Sequence, residues 1–235
     1  MATNGSSCVT HVIFDLDGLL LDTEPIYFKV NEIILAQYGK KYTLELKVKT
    51  MGMPKNRAIA EAIEYVGLTG QISIDEYSTK YEEILRDLLP DNNLLPGAMR
   101  IVEYFHKNKI PLAICTGSCQ YEYDMKMQKH KELDALIPFA VLTGDDPEVK
   151  HGKPDPDGFL VTMNRFKEKP SCAANVLVFE DSPNGVIAAC RAGMQVVMVS
   201  DFSYYEPPEE CKDRIVTMNS LEDFKPEQFG LPPFI

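Results

Sequence analysis

Apolar and polar positions follow two different rhythms along the chain. Between residues 25 and 91 the apolar side chains recur at helical spacing, as in Ile59, Ala62, Ile63 and Val66. No convincing strand pattern falls within that range. Outside it, short apolar runs alternate with helical stripes. The two rhythms predict an all-α segment inserted into an α/β chain.

The alternating part of the chain predicts a parallel sheet with helices on both faces. The predicted strands are HVIFDLD, IPLAIC, FAVLT, NVLVF and QVVMV, which begin at residues 11, 110, 139, 175 and 195. We therefore predict an α/β fold, in which a Rossmann-like parallel sheet core carries an inserted all-α helical domain. The predicted boundaries assign residues 1–24 and 92–235 to the core and residues 25–91 to the insert.

Charged and hydroxyl side chains stand at the carboxyl ends of four predicted strands or in the loops that follow them. In chain order, these positions are Asp15 and Asp17, then Thr116 and Ser118 with Gly117 between them, then Lys153, and finally Glu180 and Asp181. Ligands of open parallel sheets bind at the carboxyl ends of the strands. We therefore expect these groups to lie together in one site.

Four carboxylates in this cluster would repel one another unless a cation neutralises them. Several hard oxygen ligands, without clustered histidines or a cysteine pair, favour Mg²⁺ over zinc. Lys153 adds a second positive charge, and Thr116 adds a hydroxyl donor. The cluster therefore predicts a site for a metal-bound phosphate.

The composition of the chain argues against several classes of binding partner. The net charge of −11 and the isoelectric point of about 4.9 argue against a nucleic-acid or anionic-membrane surface. No apolar run approaches the roughly 18 residues of a membrane span, and the start of the chain lacks a signal-peptide pattern. The six cysteines lack disulfide-framework spacing. We expect a cytoplasmic monomer that acts on a small phosphorylated metabolite.

Four segments, in this order, resemble the motifs of the haloacid dehalogenase-like hydrolase superfamily: FDLDG, CTGS, GKPDP and FEDSPNG. The helical segment after the first motif is similar to the helical cap of that family. Within this superfamily, the chain most resembles animal pseudouridine-5′-phosphatases, on the segments FDLDGLLLDTE, GDDPEVKHGKPDPDGF and VFEDSPNG. The resemblance implies a Mg²⁺-dependent phosphatase that forms an aspartyl-phosphate, with pseudouridine 5′-phosphate favoured as substrate.

The resemblance also implies roles for the catalytic residues. Asp15 would be the nucleophile, and we expect it to be ionised because the reference pKa of aspartate is about 3.9. Asp17 would protonate the leaving oxygen and then activate water. Lys153 would bridge Asp15 and the phosphoryl oxygens. Thr116 would hold the phosphate, together with the backbone amides near Gly117 and Ser118.

The same resemblance implies the metal ligands. Asp15, the backbone carbonyl of Asp17 and Asp181 would hold Mg²⁺, with Glu180 adjacent as a direct or outer ligand. The metal would shield the approach of one anion to another.

In the helical cap, four positions are candidates for choosing the substrate: Glu24, Tyr27, Gly52 and Lys55. Glu24 could accept a hydrogen bond from a substrate hydroxyl or base, and Lys55 stands where relatives place a basic residue aimed at the site. Each also has an ordinary interpretation. Glu24 suits the first turn of a helix, and Lys55 suits a solvated surface.

Three alternatives to the favoured substrate and activity remain open. The chain could be a glycerol-3-phosphate or sugar-phosphate phosphatase, which shares the whole mechanism. It could be a phosphosugar mutase, although Tyr27 stands where that family carries a cap histidine. It could also be a binding protein without activity, although such a member would be expected to lose a nucleophile or a metal ligand, and none is missing.

Overall fold

The computed structural model describes residues 8–50, 53, 55–200 and 207–234. Gly52, one of the candidate cap positions, lies outside the described residues. The chain divides into two compact units. One is Thr23–Asn92, and the other joins Met1–Asp22 to Asn93–Ile235.

The larger unit contains one parallel sheet. Its described strands are β1 (His11–Phe14), β2 (Leu112–Thr116), β3 (Ala140–Leu142), β4 (Val176–Glu180), β5 (Gln195–Val199) and β6 (Ile215–Met218). Their order in the sheet is β3-β2-β1-β4-β5-β6. All the pairings are parallel. The predicted α/β fold with a parallel sheet core is confirmed.

Helices account for most of the remaining regular structure. Within the described residues they are α1 (Glu24–Ala36), α2 (Leu44–Thr50), α3 (Lys55–Tyr65), α4 (Ile74–Leu88), α5 (Ala98–Lys107), α6 (Gln120–Lys126), α7 (Lys131–Leu136), α8 (Asp157–Arg165) and α9 (Pro183–Arg191). Short 3₁₀ turns connect several of them. None of these described helices is long and apolar enough to cross a membrane.

The smaller unit is built from α1 to α4. Helix α4 begins with the predicted capping box, in which the Ser73 hydroxyl accepts from the Glu76 amide at 3.1 Å. Thr23 stands at the cap position of α1, but its side chain makes no capping hydrogen bond. The pattern did not predict α2, which has two large exposed apolar side chains, Leu44 and Val48. With these two apolar residues exposed, the sequence of α2 lacks the one-sided apolar pattern that predicts a helix.

Apolar clusters cover both faces of the sheet of the larger unit. Successive side chains of β1 point to opposite faces, so they pack into different clusters. Val12 and Phe14 belong to an apolar cluster that includes Phe105 of α5. Ile13 belongs to a second cluster that includes Phe159 of α8. This double burial explains why β1 reads as a continuous apolar run rather than an alternating one.

Two differences from the predicted strands follow from local packing. Strand β1 ends at Phe14, so Asp15 and Asp17 lie just beyond it rather than within it. Strand β6 was not predicted, because it lies at the sheet edge with Val216 and Thr217 exposed.

Candidate active site

Asp15 and Lys153 form the centre of the candidate site. The register of the sheet sets Phe14 beside Phe179, and the Asp15 amide donates to the Phe179 carbonyl at 3.0 Å. Asp15 therefore lies opposite Glu180, the last residue of the neighbouring strand β4. The Lys153 Nζ atom donates to Asp15 Oδ1 and to Glu180 Oε1, at 2.5 Å each. One ammonium group thus bridges two carboxylates.

Burial changes the pKa of Asp15 in this centre. Asp15 is 6% exposed and Glu180 is fully buried. Burial is the main cause that raises the pKa of Asp15 to about 7; Lys153 lowers it, and Glu180 and Asp17 raise it further. Because this pKa lies close to neutral pH, the reference pKa of aspartate does not by itself establish that Asp15 is ionised.

Lys153 keeps its charge in this setting. Burial opposes the charged ammonium, yet the ion pairs with Asp15 and Glu180 outweigh it and raise the pKa of Lys153 well above its ordinary value. The ammonium also donates to the Cys115 carbonyl at 3.3 Å and lies 5.2 Å from the centre of the Phe159 ring. These contacts fix its position between the strands.

Glu180 is fixed by the two residues that lead into α9. Its Oε2 atom accepts from the Asp181 amide at 3.0 Å, and from the Ser182 amide and hydroxyl at 3.1 Å each. The Ser182 hydroxyl in turn accepts from the Gly185 amide at 3.1 Å, which caps the helix. A Cβ atom at Gly185 would overlap the Glu180 carboxylate. The glycine therefore leaves the space that the carboxylate fills.

Replacing Gly185 by alanine is expected to displace Glu180. Alanine is the better helix former by about 1 kcal/mol, and urea unfolding followed in parallel checks that the variant is folded. We expect the Mg²⁺ concentration for half-maximal activity to rise about tenfold, because the Glu180 and Lys153 pair must rearrange. Gly152→Ala is the matched control, since a Cβ there meets nothing within 4 Å. An unchanged Mg²⁺ requirement in Gly185→Ala would show that Glu180 does not support the metal.

A second group of side chains surrounds Asp17. Its Oδ2 atom accepts from the hydroxyls of Thr116 at 3.2 Å and Ser118 at 3.0 Å. Lys126 Nζ contacts Asp17 Oδ1 at 2.7 Å and Oδ2 at 2.8 Å. Lys126 also donates to the Ser118 hydroxyl at 2.6 Å. The structure thus links Asp17, Thr116 and Ser118, as the sequence predicted, and adds Lys126.

Lys126 gave no signal in the sequence. It ends α6, a short helix with Tyr121 and Asp124 exposed, and a lysine at a helix end is ordinarily solvated. Instead it is 1% exposed. Burial of a lysine requires a partner, which makes its pairing with Asp17 informative.

The carboxylates fit a hard divalent cation. Asp15, Glu180 and Asp181 each offer an oxygen ligand, and these atoms lie within 4.8 Å of one another. Adding Asp17 gives four carboxylates against the ammonium groups of Lys126 and Lys153, so the described site carries an excess of negative charge. Oxygen ligands and excess negative charge suit Mg²⁺.

Two of the cap candidates are described by their contacts within the smaller unit. Glu24 and Lys55 lie in the smaller unit, and each has a local partner there. Glu24 pairs with Lys47 at 2.7 Å. Lys55 pairs with Glu82 at 2.7 Å. Their predicted contacts with substrate stay predictions.

Gly117 lies between Thr116 and Ser118 in the larger unit. It is exposed, and a Cβ at that position would meet nothing within 4 Å. The space beside this glycine is therefore open, and its predicted contact with a phosphate stays a prediction.

Residues 12–199 match the family model of haloacid dehalogenase-like hydrolases. The chain is 48% identical to (DL)-glycerol-3-phosphatase 2 of Arabidopsis thaliana over 232 residues, which cover 99% of this chain and 95% of that protein. It is 43% identical to a protein named probable pseudouridine-5′-phosphatase in Drosophila melanogaster, over 96% of each chain.

A solved structure shares the fold. The β-phosphoglucomutase of Clostridium difficile matches with a TM-score of 0.70 and 18% identity, over 94% of this chain and 96% of that one. At that identity the match carries the fold alone.

The chain belongs to the haloacid dehalogenase-like hydrolase family. The resemblance stated from its four motifs is confirmed. The prediction of an enzyme, a phosphoric monoester hydrolase, is confirmed as well by the family and by relatives named as phosphatases.

Proposed function

We propose that the chain hydrolyses the phosphate monoester of a small metabolite with Mg²⁺, through a phosphoryl group carried on Asp15. The observation that carries the proposal is the buried contact of Asp15 with Lys153, which also contacts Glu180. A carboxylate held in this way can meet phosphorus while a cation offsets the negative charge of the phosphate.

In the first half-reaction, an Asp15 carboxylate oxygen attacks phosphorus, and the bond from phosphorus to the ester oxygen breaks. The Asp17 carboxyl group gives its proton to that oxygen, so the product leaves as an alcohol. Lys153 offsets the charge on the phosphoryl oxygens, and the Thr116 and Ser118 hydroxyls can donate to them. The contacts of Lys153 with Asp15, and of both hydroxyls with Asp17, support these assignments.

In the second half-reaction, a water molecule attacks the phosphorus of the aspartyl-phosphate. Asp17, now ionised, takes a proton from that water. The bond between phosphorus and the Asp15 oxygen breaks, which releases inorganic phosphate and restores the carboxylate. The two steps replace one difficult displacement with two easier ones.

Asp15, Glu180 and Asp181 would hold Mg²⁺, with the backbone carbonyl of Asp17 as a further ligand. Bound Mg²⁺ would neutralise charge on the phosphate and favour the ionised form of Asp15. The separation of at most 4.8 Å among the three carboxylate oxygens supports this ligand set.

Asp181→Asn is expected to weaken metal binding with less effect on the chemistry at saturation. An amide oxygen is a poorer Mg²⁺ ligand than a carboxylate, so half-maximal activity should need about tenfold more Mg²⁺. Calorimetric titration of Mg²⁺ without substrate should show the same loss. Asp155→Asn, at an exposed aspartate of the larger unit, is the control. Equal Mg²⁺ affinities in the two variants would remove Asp181 from the ligand set.

The substrate is proposed from the relatives. The motifs alone favoured pseudouridine 5′-phosphate, with glycerol 3-phosphate second. The glycerol-3-phosphatase of Arabidopsis thaliana is 48% identical to this chain and the Drosophila protein is 43% identical, which reverses that order. We place glycerol 3-phosphate first and pseudouridine 5′-phosphate second. Glu24 and Lys55 of the smaller unit, proposed as the cap, are the candidates for discriminating between them.

The proposal is tested by phosphate release with Mg²⁺ from four esters. The panel contains glycerol 3-phosphate, pseudouridine 5′-phosphate, uridine 5′-phosphate and glucose 1-phosphate, with Asp15→Asn as the blank. We expect release above the blank, led by glycerol 3-phosphate. Release led by another ester would keep the reaction and move the substrate. No release from any ester, with conversion of β-glucose 1-phosphate to glucose 6-phosphate, would overturn the phosphatase in favour of a mutase.

A further inference from the structure

Lys126 contacts the predicted acid and base of the reaction, although it belongs to none of the four motifs. Its ammonium group lies within 2.8 Å of both carboxylate oxygens of Asp17 and donates to the Ser118 hydroxyl. The ammonium contacts both carboxylate oxygens, whereas the Thr116 and Ser118 hydroxyls both contact Oδ2, so Lys126 restricts the rotation of the carboxylate the most.

Burial makes the contact energetically demanding. Lys126 is 1% exposed, whereas the side chain of Asp17 is 22% exposed. Removing a lysine from water is costly unless a partner compensates its charge. Stability alone would be served as well by an apolar side chain at this position. The ammonium is therefore better explained by what it does to Asp17.

The end of α6, where Lys126 stands, is anchored independently of Asp17. The Gln120 amide at the start of the helix donates to Asp145 at 2.6 Å. The Tyr123 hydroxyl donates to Asp134 at 2.8 Å, and Met127 is buried in the apolar core. The helix that carries Lys126 is therefore held in place by contacts other than the pair with Asp17, which lies in the loop after β1.

We propose that Lys126 is a positioning residue, which holds the Asp17 carboxyl group where it can exchange a proton with the ester oxygen. The role rests on the proposed function of Asp17 as acid and base. Lys126 need not touch the substrate, because it acts through Asp17. Losing it should therefore reduce catalysis most where protonation of the leaving group matters most.

The test compares two esters in Lys126→Met. An alkyl phosphate such as glycerol 3-phosphate needs a proton on its leaving oxygen, whereas p-nitrophenolate departs without one. We expect kcat/KM to fall about 30-fold for the alkyl phosphate and less than about threefold for p-nitrophenyl phosphate. Lys131→Met, at an exposed lysine five positions on, is the matched control and should leave both values unchanged.

Two further variants separate positioning from a structural role. Lys126→Arg keeps the charge, so it should retain more alkyl phosphatase activity than Lys126→Met. Its ratio of kcat/KM between the two esters should stay close to that of the wild type. In an Asp17→Asn background, Lys126→Met should cost little further kcat/KM on glycerol 3-phosphate, because the residue through which it acts is already altered.

Four results would overturn the role. An equal loss on both esters would make Lys126 a phosphate ligand or a structural residue, and so would a further loss in the Asp17→Asn background. Unchanged kcat/KM in Lys126→Met would remove it from catalysis. No turnover of either ester by the wild-type chain would overturn the proposed function together with this role, which distinguishes that failure from the first three.

Discussion

Asp15→Asn is expected to lower phosphate release by about 10⁴-fold or more at saturating Mg²⁺. An amide cannot attack phosphorus, so the phosphoryl group has no acceptor on the protein. The neutral side chain also weakens the pairing with Lys153, which contacts Asp15 Oδ1 at 2.5 Å. The measurement is the initial rate on the best ester of the panel, with unfolding followed in parallel to show that the variant is folded.

Asp22→Asn is the matched control for this loss. Asp22 follows in the same segment; it is half-buried, and its backbone amide donates to the Asn93 carbonyl at 2.8 Å. We expect its rate to remain within about twofold of the wild type, as for a surface change away from the reacting groups. Full activity in Asp15→Asn would end the covalent mechanism.

Lys153→Met is expected to damage both activity and stability. It leaves Asp15 and Glu180 buried without the cation that bridges them, at 8% and 0% side-chain exposure. Removing one partner of a buried ion pair costs about 3 kcal/mol in the free energy of unfolding. Activity should fall by about 10²- to 10³-fold, because the charge facing the phosphoryl oxygens is lost.

Urea unfolding with and without Mg²⁺ checks the stability part of this expectation. The loss should be largest without Mg²⁺, since a metal on the same carboxylates can partly replace the ammonium. Lys150→Met, three residues earlier and exposed, should change neither quantity measurably. Unfolding of Lys153→Met at the wild-type urea concentration would show that the bridge contributes nothing to folding.

The sheet was predictable because its strands are buried on both faces. Buried parallel strands such as β1 and β4 consist almost wholly of apolar residues, which the sequence displays directly. Strand β6 lacked this signal because an edge strand exposes residues such as Val216. The exposed apolar residues of α2 hid its helical period in the same way.

The candidate site was predictable only where residues occupy motifs at strand ends. Asp15, Thr116, Lys153 and Glu180 follow predicted strands or their loops, so the sheet order alone brings them together. Lys126 enters from a short helix, and its burial depends on tertiary packing that periodicity does not encode. The environment of Asp15 was missed for the same reason, since a reference pKa carries no information about burial.

The central claim is that Asp15 carries the phosphoryl group. The most direct test uses Asp17→Asn with p-nitrophenyl phosphate and Mg²⁺, because this ester needs no acid but the intermediate still needs a base. We expect a stoichiometric burst of p-nitrophenolate, followed by slow turnover. In the acid-quenched protein, the mass of one phosphoryl group should be found on the peptide that contains Asp15. Turnover with no such adduct, or an adduct on another residue, would contradict the account.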